Sequence, residues 1–223
     1  GAMRFNSDSQ KLEYFNGDIW MQIHTFSPNL DGGARGIWAG GSTPTVLATI
    51  DYITIATAGN AADFGDLNEV KSEGAASSSN TKGIFAGGYN GPSRTGNTSY
   101  IIIPTTGFAA DYNDLTSATN IALGFGNQTR GFVAGGKSPS NTNVIEYTTI
   151  ASNSDWADFG DSTAAHISGS GCATPTRGVY NLGFVTPTRV NAMDYVTLAT
   201  LGNAHDFGDL TTNRNGTGAL SNS

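Results

Sequence analysis

Lys82-Gly83-Ile84-Phe85-Ala86-Gly87-Gly88 decides the fold, because it recurs. It stands upstream as Arg35-Gly36-Ile37-Trp38-Ala39-Gly40-Gly41 and downstream as Arg130-Gly131-Phe132-Val133-Ala134-Gly135-Gly136. A fourth copy, Arg177-Gly178-Val179-Tyr180-Asn181-Leu182-Gly183, keeps only the second glycine of the pair. The Arg/Lys-Gly steps are separated by 47, 48 and 47 residues. A fixed period of this length marks a repeat architecture, in which each unit needs its neighbours to bury an apolar side.

Two further anchors keep the period. Asp51-Tyr52-Ile53-Thr54-Ile55-Ala56 is echoed by Ser99-Tyr100-Ile101-Ile102-Ile103-Pro104, by Glu146-Tyr147-Thr148-Thr149-Ile150-Ala151 and by Asp194-Tyr195-Val196-Thr197-Leu198-Ala199. The other anchor is Asp63-Phe64-Gly65-Asp66-Leu67, with relatives at Asp111-Tyr112-Asn113-Asp114-Leu115, Asp158-Phe159-Gly160-Asp161 and Asp206-Phe207-Gly208-Asp209-Leu210. Each unit reads as four short strands. A small-residue strand (a) is followed by the Arg-Gly strand ending on the glycine turn (b). The alternating Tyr-containing strand comes next (c). The Asp-Phe-Gly-Asp segment, its aromatic turned inward, closes the unit (d). Four strands in this length make one propeller blade.

Composition agrees. Of 223 residues only 13% are charged, 30 are glycine, and 38% are hydrophobic. That suits sheets and turns, and it is too apolar for a disordered chain. The formal charge of −7, with 11 Lys plus Arg and no basic run, argues against a nucleic-acid partner. No apolar stretch is long enough to span a bilayer as a helix, so membrane insertion is not expected. The single cysteine, Cys172, excludes an internal disulfide framework. Gly1-Ala2-Met3 reads as the remnant of a removed tag.

The organisation expected is residues 1–3 as tag remnant, 4–33 as an N-terminal β-hairpin and linker, and 34–223 as four units starting near 35, 82, 130 and 177. The expected fold is all-β, a small propeller of about four four-stranded blades. The C-terminal Gly216-Thr217-Gly218-Ala219-Leu220-Ser221 matches an a strand and would close the ring on the blade of residues 35–67, removing the exposed sheet edge there.

A strand ending in Gly-Gly, then a Tyr, then an aromatic about a dozen residues on resembles a kelch blade, with Phe or Tyr where kelch repeats usually carry Trp. The longer unit, from Thr-Arg-Gly through Gly-Gly and Asp-Tyr-Ile-Thr-Ile-Ala to Gly-Asn-Ala-x-Asp-Phe-Gly-Asp-Leu, resembles repeats in virion structural and tail-fibre proteins of marine, notably cyanobacterial, phages. Leu12-Glu13-Tyr14-Phe15-Asn16-Gly17-Asp18-Ile19-Trp20 lies outside the repeat, with Asn16-Gly17 as its hairpin turn. It is similar to a short motif preceding C-terminal domains of phage tail fibres. The resemblance implies a virion location in a tail fibre, a bacteriophage host receptor as partner, other tail proteins as neighbours, and a homotrimeric full-length fibre as one arrangement.

Among candidate sites, the Asp pairs come first: Asp63 with Asp66, Asp111 with Asp114, Asp158 with Asp161, and Asp206 with Asp209. They can bind calcium through oxygen, or accept backbone N–H bonds and fix tight turns. The second reading is preferred, and no cofactor is expected. Arg35, Lys82, Arg130 and Arg177 either pair with those aspartates or face solvent. His24, His166 and His205 lack metal-ligand spacing. Cys172 reads as a small buried residue. No nucleophile elbow or phosphate loop is present, so no enzyme is expected. What differs between units is the b–c loops. A repeated scaffold with dissimilar loops on one face is a binding design. Tyr89, Asn90, Arg94, Asn97, Lys137, Asn141, Phe184 and Arg189 supply the aromatic and hydrogen-bonding groups a carbohydrate-binding surface uses. The expected function is receptor binding, with a host surface glycan or outer-membrane receptor as the ligand. The alternatives are a purely structural virion protein and, less favoured, a glycan-cleaving enzyme.

Overall fold

The computed structural model describes residues 2–6, 11–22 and 35–221. Strands take 54% of the chain and helix 1%, so the fold is all-β. No helix among these residues is long and apolar enough to cross a membrane. Two compact units divide the chain, Gly1–Leu30 and Asp31–Ser223.

The N-terminal unit is a three-stranded antiparallel sheet of β1 (Met3–Asn6), β2 (Lys11–Phe15) and β3 (Trp20–Gln22), one strand more than the expected hairpin. Asn16 makes the β2–β3 turn by accepting the Asp18 and Ile19 N–H groups on its Oδ1, at 3.0 and 2.9 Å. Gly17 supplies the positive φ of 111°. Arg4 pairs with Glu13 at 2.9 Å and lies 4.1 Å from the Trp20 ring centroid. The linker part of the expected N-terminal segment, residues 23–33, lies outside the described residues, as does His24.

The larger unit holds four sheets in series. The first contains β4 (Arg35–Ala39), β7 (Thr49–Thr54) and β8 (Ala62–Asp66), with the small hairpin β5 (Ser42–Thr43) and β6 (Thr45–Val46) in its b–c loop. The second is β9 (Ala75–Ser78), β10 (Lys82–Tyr89), β11 (Arg94–Ile102) and β12 (Ala110–Tyr112). The third is β13 (Leu123–Gly126), β14 (Arg130–Ala134), β15 (Thr142–Thr149) and β16 (Ala157–His166). The fourth is β17 (Ser170–Ala173), β18 (Arg177–Asn181), β21 (Ala192–Thr197) and β22 (His205–Asp209), with the hairpin β19 (Phe184–Val185) and β20 (Thr188–Arg189) in its loop. All pairings between these named strands are antiparallel and follow chain order.

Register repeats with the sequence. Arg35 faces Thr54, Lys82 faces Ile102, Arg130 faces Thr149 and Arg177 faces Thr197. In three sheets the c–d ladder slips within the Asp-Phe-Gly-Asp segment. Gly65, Gly160 and Gly208 take φ of 138°, 144° and 122° there, a backbone that favours glycine. The second sheet, with Asn113 at that place, has no slip. A bulge is thus spelled by one glycine.

Each sheet buries one face against the next. Ile50, Phe64 and Leu67 of the first sheet pack on Ile101 and Ala109 of the second. Ile84, Tyr112 and Leu115 of the second pack on Val133, Ile150 and Trp156 of the third. Phe125, Phe132 and Phe159 of the third pack on Tyr180, Val196 and Leu198 of the fourth. Within a sheet the aromatics also meet, as Tyr52 with Phe64 and Phe132 with Phe159, but each core is completed only by the neighbouring sheet, as a repeat period requires.

The expected closing strand at residues 216–221 is not formed. Gly216 donates to the Ser168 carbonyl at 2.8 Å, and the Ser221 hydroxyl to the Ala173 carbonyl at 2.7 Å, so the segment runs beside β17. Leu220 is 90% exposed: with two glycines and one large apolar side chain that finds no cover, the segment has nothing to hold it as a strand. Among the described residues β4 pairs only with β7.

Candidate functional site

The b–c loops stand side by side along one edge of the sheets. Each is tied by main-chain bonds to the connection that leads into or out of its own unit. Tyr89 and Ser72 exchange bonds of 2.8 and 2.9 Å, Lys137 and Asn120 bonds of 2.9 and 3.3 Å, and Phe184 and Ile167 two of 3.0 Å. Most of the polar groups singled out from the sequence serve in this rim. Asn90 donates to Glu69 at 2.9 Å, Arg94 to Asn120 at 2.9 Å, Asn141 to Thr186 at 3.0 Å and Arg189 to Asn215 at 2.8 Å. Tyr89 and Arg189 are exposed, while Asn90, Arg94, Lys137, Asn141 and Phe184 are half-buried. The rim is therefore a set of side chains already fixed by bonds to one another, which lowers the entropy a ligand would have to remove.

Asn97 differs. Its carbonyl and its Oδ1 both accept from Lys71 Nζ at 2.9 Å, so it faces inward. Lys71 is buried, and that burial pulls its ammonium down to about 8.

The repeated cations and four of the paired aspartates, Asp111, Asp114, Asp158 and Asp206, make contacts within the protein. Arg35 donates to the Ile103 carbonyl at 2.6 Å, Lys82 to the Ile150 carbonyl at 2.9 Å and Arg130 to the Leu198 carbonyl at 2.6 Å, each in the following unit. Each cation also lies over the tyrosine of its own unit: Tyr52 at 4.7 Å, Tyr100 at 4.6 Å, Tyr147 at 5.0 Å and, for Arg177, Tyr195 at 4.6 Å. Aspartate pairing describes none of these cations, and exposure describes only Arg177. They were recognisable as repeated, but the recipient carbonyl is invisible to a side-chain pattern.

Asp114 accepts the Thr98 N–H at 3.1 Å, Asp158 the Gly160 N–H at 3.2 Å and Asp206 the Gly208 N–H at 3.1 Å. Asp111 accepts from Asn68 at 2.9 Å. Among the described residues no three His, Cys, Asp or Glu side chains gather as a metal site. A second acidic set escaped notice in the sequence. Glu146 accepts from the Thr116 N–H at 3.0 Å and from its hydroxyl. Asp194 accepts from the Thr163 N–H and hydroxyl at 2.8 and 2.7 Å. Both are buried, and burial raises both carboxyls above the ordinary range. Their signal was there: they share the position before the repeated tyrosine with Asp51 and Ser99.

His166 is fully buried, with Nε2 3.2 Å from the Ser162 hydroxyl, which lies 2.8 Å from the Tyr180 hydroxyl. Burial lowers its imidazole to about 4. Serine, histidine and tyrosine meet here where no substrate reaches, so they form a core network.

A cleft of about 530 Å³ lies at the opposite edge, where Phe125, Asn127, Gln128, Cys172, Thr174 and Leu220 line it. Cys172 is half-buried there, more open than its sequence context implied. No family model and no curated protein matches the sequence.

Proposed function

We propose that this chain is a non-enzymatic binding module whose sheets are the blades of a small kelch-like propeller, carried in a bacteriophage tail fibre and recognising a host surface glycan or outer-membrane receptor. The observation that carries the reading is the division of labour between residues. Side chains that recur from unit to unit, such as Arg35, Lys82 and Arg130, hold one sheet to the next wherever a next sheet follows. Those that differ between units cluster on one edge in the b–c loops. The phage placement, the neighbouring tail proteins and a homotrimeric fibre rest on the resemblance of the repeat and of the N-terminal motif. Calcium at an Asp pair is kept as one arm of the test.

The alternative is a structural virion protein. The exposed Trp38, Ile55, Leu201 and Phe207 favour it, because apolar groups open at the ends of the array suit protein contacts.

The test is binding of the labelled chain to intact candidate host cells and to their extracted polysaccharide, with and without EDTA. Saturable binding competed by free polysaccharide supports the receptor reading, and its loss in EDTA supports calcium. Absence of binding to every host tried, by a folded chain, favours the structural protein.

A further inference from the structure

The contact between the third and fourth units has a defined sequence code. Gly202 donates to the Phe159 carbonyl at 2.9 Å, Ala204 to the Asp161 carbonyl at 2.8 Å, and Asn203 Oδ1 accepts the Asp161 N–H at 3.0 Å. Gly-Asn-Ala of one unit thus docks on Asp-Phe-Gly-Asp of the unit before. Gly160 is closed over so tightly that an added Cβ would meet the Gly202 carbonyl oxygen at 2.5 Å.

Both halves of this code occur again, unpaired, at opposite ends of the array. The first unit carries Gly59-Asn60-Ala61, exposed throughout. The fourth carries Asp206-Phe207-Gly208-Asp209, with Phe207 47% exposed and no atom within 4 Å of an added Gly208 Cβ. Two more half-contacts sit beside them. Thr211 stands 48 residues beyond Thr163, the donor to Asp194, and Asp51 holds the place of Asp194 in the first unit. Both are exposed.

We propose that the fourth-unit face of one chain binds the first-unit face of a second copy, head to tail, through the same bonds that join its third and fourth units. Among the described residues of one chain both faces are exposed, at Trp38 and Ile55 on one and Phe207 on the other, and the occupant we assign to them is another molecule. The same copy would bring the first unit's sheet, whose β4 has β7 as its one partner strand among the described residues, against the segment 216–221 that runs beside β17. Such a contact is heterologous, and it builds a closed ring or a filament according to its rotation. The inference rests on the repeat contacts, is independent of what the rim binds, and replaces closure of the propeller within one chain by contact between copies.

Sedimentation velocity over a wide concentration range tests it, with Trp38→Glu and Phe207→Glu as variants, each on an exposed side chain of one face. The parent is expected to gain mass with concentration. Each variant should stay monomeric at about tenfold the concentration at which the parent associates. An equimolar mixture of the two should stop at a dimer, since each retains one intact face. A parent that stays monomeric, or variants that associate like the parent, overturn the proposal. A cysteine pair at Ala61 and Asp209 in a Cys172→Ser background separates the remaining case: oxidation should give cross-linked multimers, and an internally cross-linked monomer alone also overturns it.

Discussion

Phe159 and Phe207 occupy one position of the repeat, 48 residues apart, yet one is 3% exposed and the other 47%. The third sheet has a neighbour on that face and the fourth does not. The backward faces make the same comparison. Tyr180 and Leu198 are each 1% exposed, whereas Trp38 and Ile55 of the first unit are 59% and 63%. Identical local sequence therefore gives identical strands but not identical burial. The sheet is written in the unit, and its stability is written in the step from one unit to the next.

The largest effect expected from this is in the aromatic pair itself. Phe159→Ala should cost about 3–5 kcal/mol, as for a large buried side chain lost from a core, and Phe207→Ala less than about 1 kcal/mol. Denaturant unfolding at low protein concentration measures both. Equal losses would break the comparison, because they would mean that the terminal face is covered in solution too. A Phe207→Ala cost that grows with concentration would sharpen it into the association proposed above.

Acid separates the interior in a second way. His166 sits in the contact between third and fourth units, and burial lowers it from 6.5 to about 4. The neutral imidazole is the folded form, so its contribution is complete above pH 6.5 and is lost as pH falls through 4. That shift corresponds to roughly 3 kcal/mol at most. His166→Gln, which does not titrate, should flatten the parent's loss of stability across this window. Unchanged pH dependence in unfolding curves between pH 7 and 4 would mean that the histidine is hydrated in solution.

Glycine gives a third contrast, of about 2 kcal/mol. Gly160 and Gly208 both have positive φ, so alanine strains the backbone at each. Only at Gly160 would the new Cβ also strike the next unit's carbonyl. Gly160→Ala should lower the unfolding midpoint well beyond Gly208→Ala, and parity between them would show that the Gly202 loop gives way freely.

How much of this could be read beforehand follows the same line. The strands, their order and the inward aromatic of the first three units were legible, because period and alternation are local properties; Phe207 of the fourth, 47% exposed, departs from that reading. The use of Arg35, Lys82 and Arg130 was not, because each reaches a main-chain carbonyl 68 residues away, and carbonyls carry no sequence label. The burial of Glu146 and Asp194 was hidden for a related reason. Both look like surface carboxylates until Thr116 and Thr163 of the preceding unit are laid against them. The expected strand at 216–221 failed because strand pattern is necessary but not sufficient. In the described chain it has a neighbour to lie on, β17, and no strand to pair with. Asn97 looked like a free amide for a ligand, but Lys71, whose burial nothing in its local sequence announces, takes both of its oxygens.

The cation hooks give the smallest and cleanest contrast. Arg130 and Arg177 share the tyrosine contact, at 5.0 and 4.6 Å from the ring centroids. Only Arg130 goes on to donate to a carbonyl of the next unit, at 2.6 Å. Arg177 is exposed and, among the described residues, reaches no such carbonyl. The cation–π part, about 0.5–1 kcal/mol at an exposed site, should therefore cancel between Arg130→Ala and Arg177→Ala. What remains is one charge-assisted hydrogen bond across a unit boundary, about 1–2 kcal/mol. Unfolding at low concentration should show that difference. Because the Leu198 carbonyl accepts from Arg130 through main chain, Arg130→Lys should recover most of it, as Lys82 already makes the equivalent bond to Ile150. If Arg177→Ala costs as much as Arg130→Ala at low concentration, the fourth unit's hook is occupied within the single chain, and the ends of the array are not the open faces that their exposure describes.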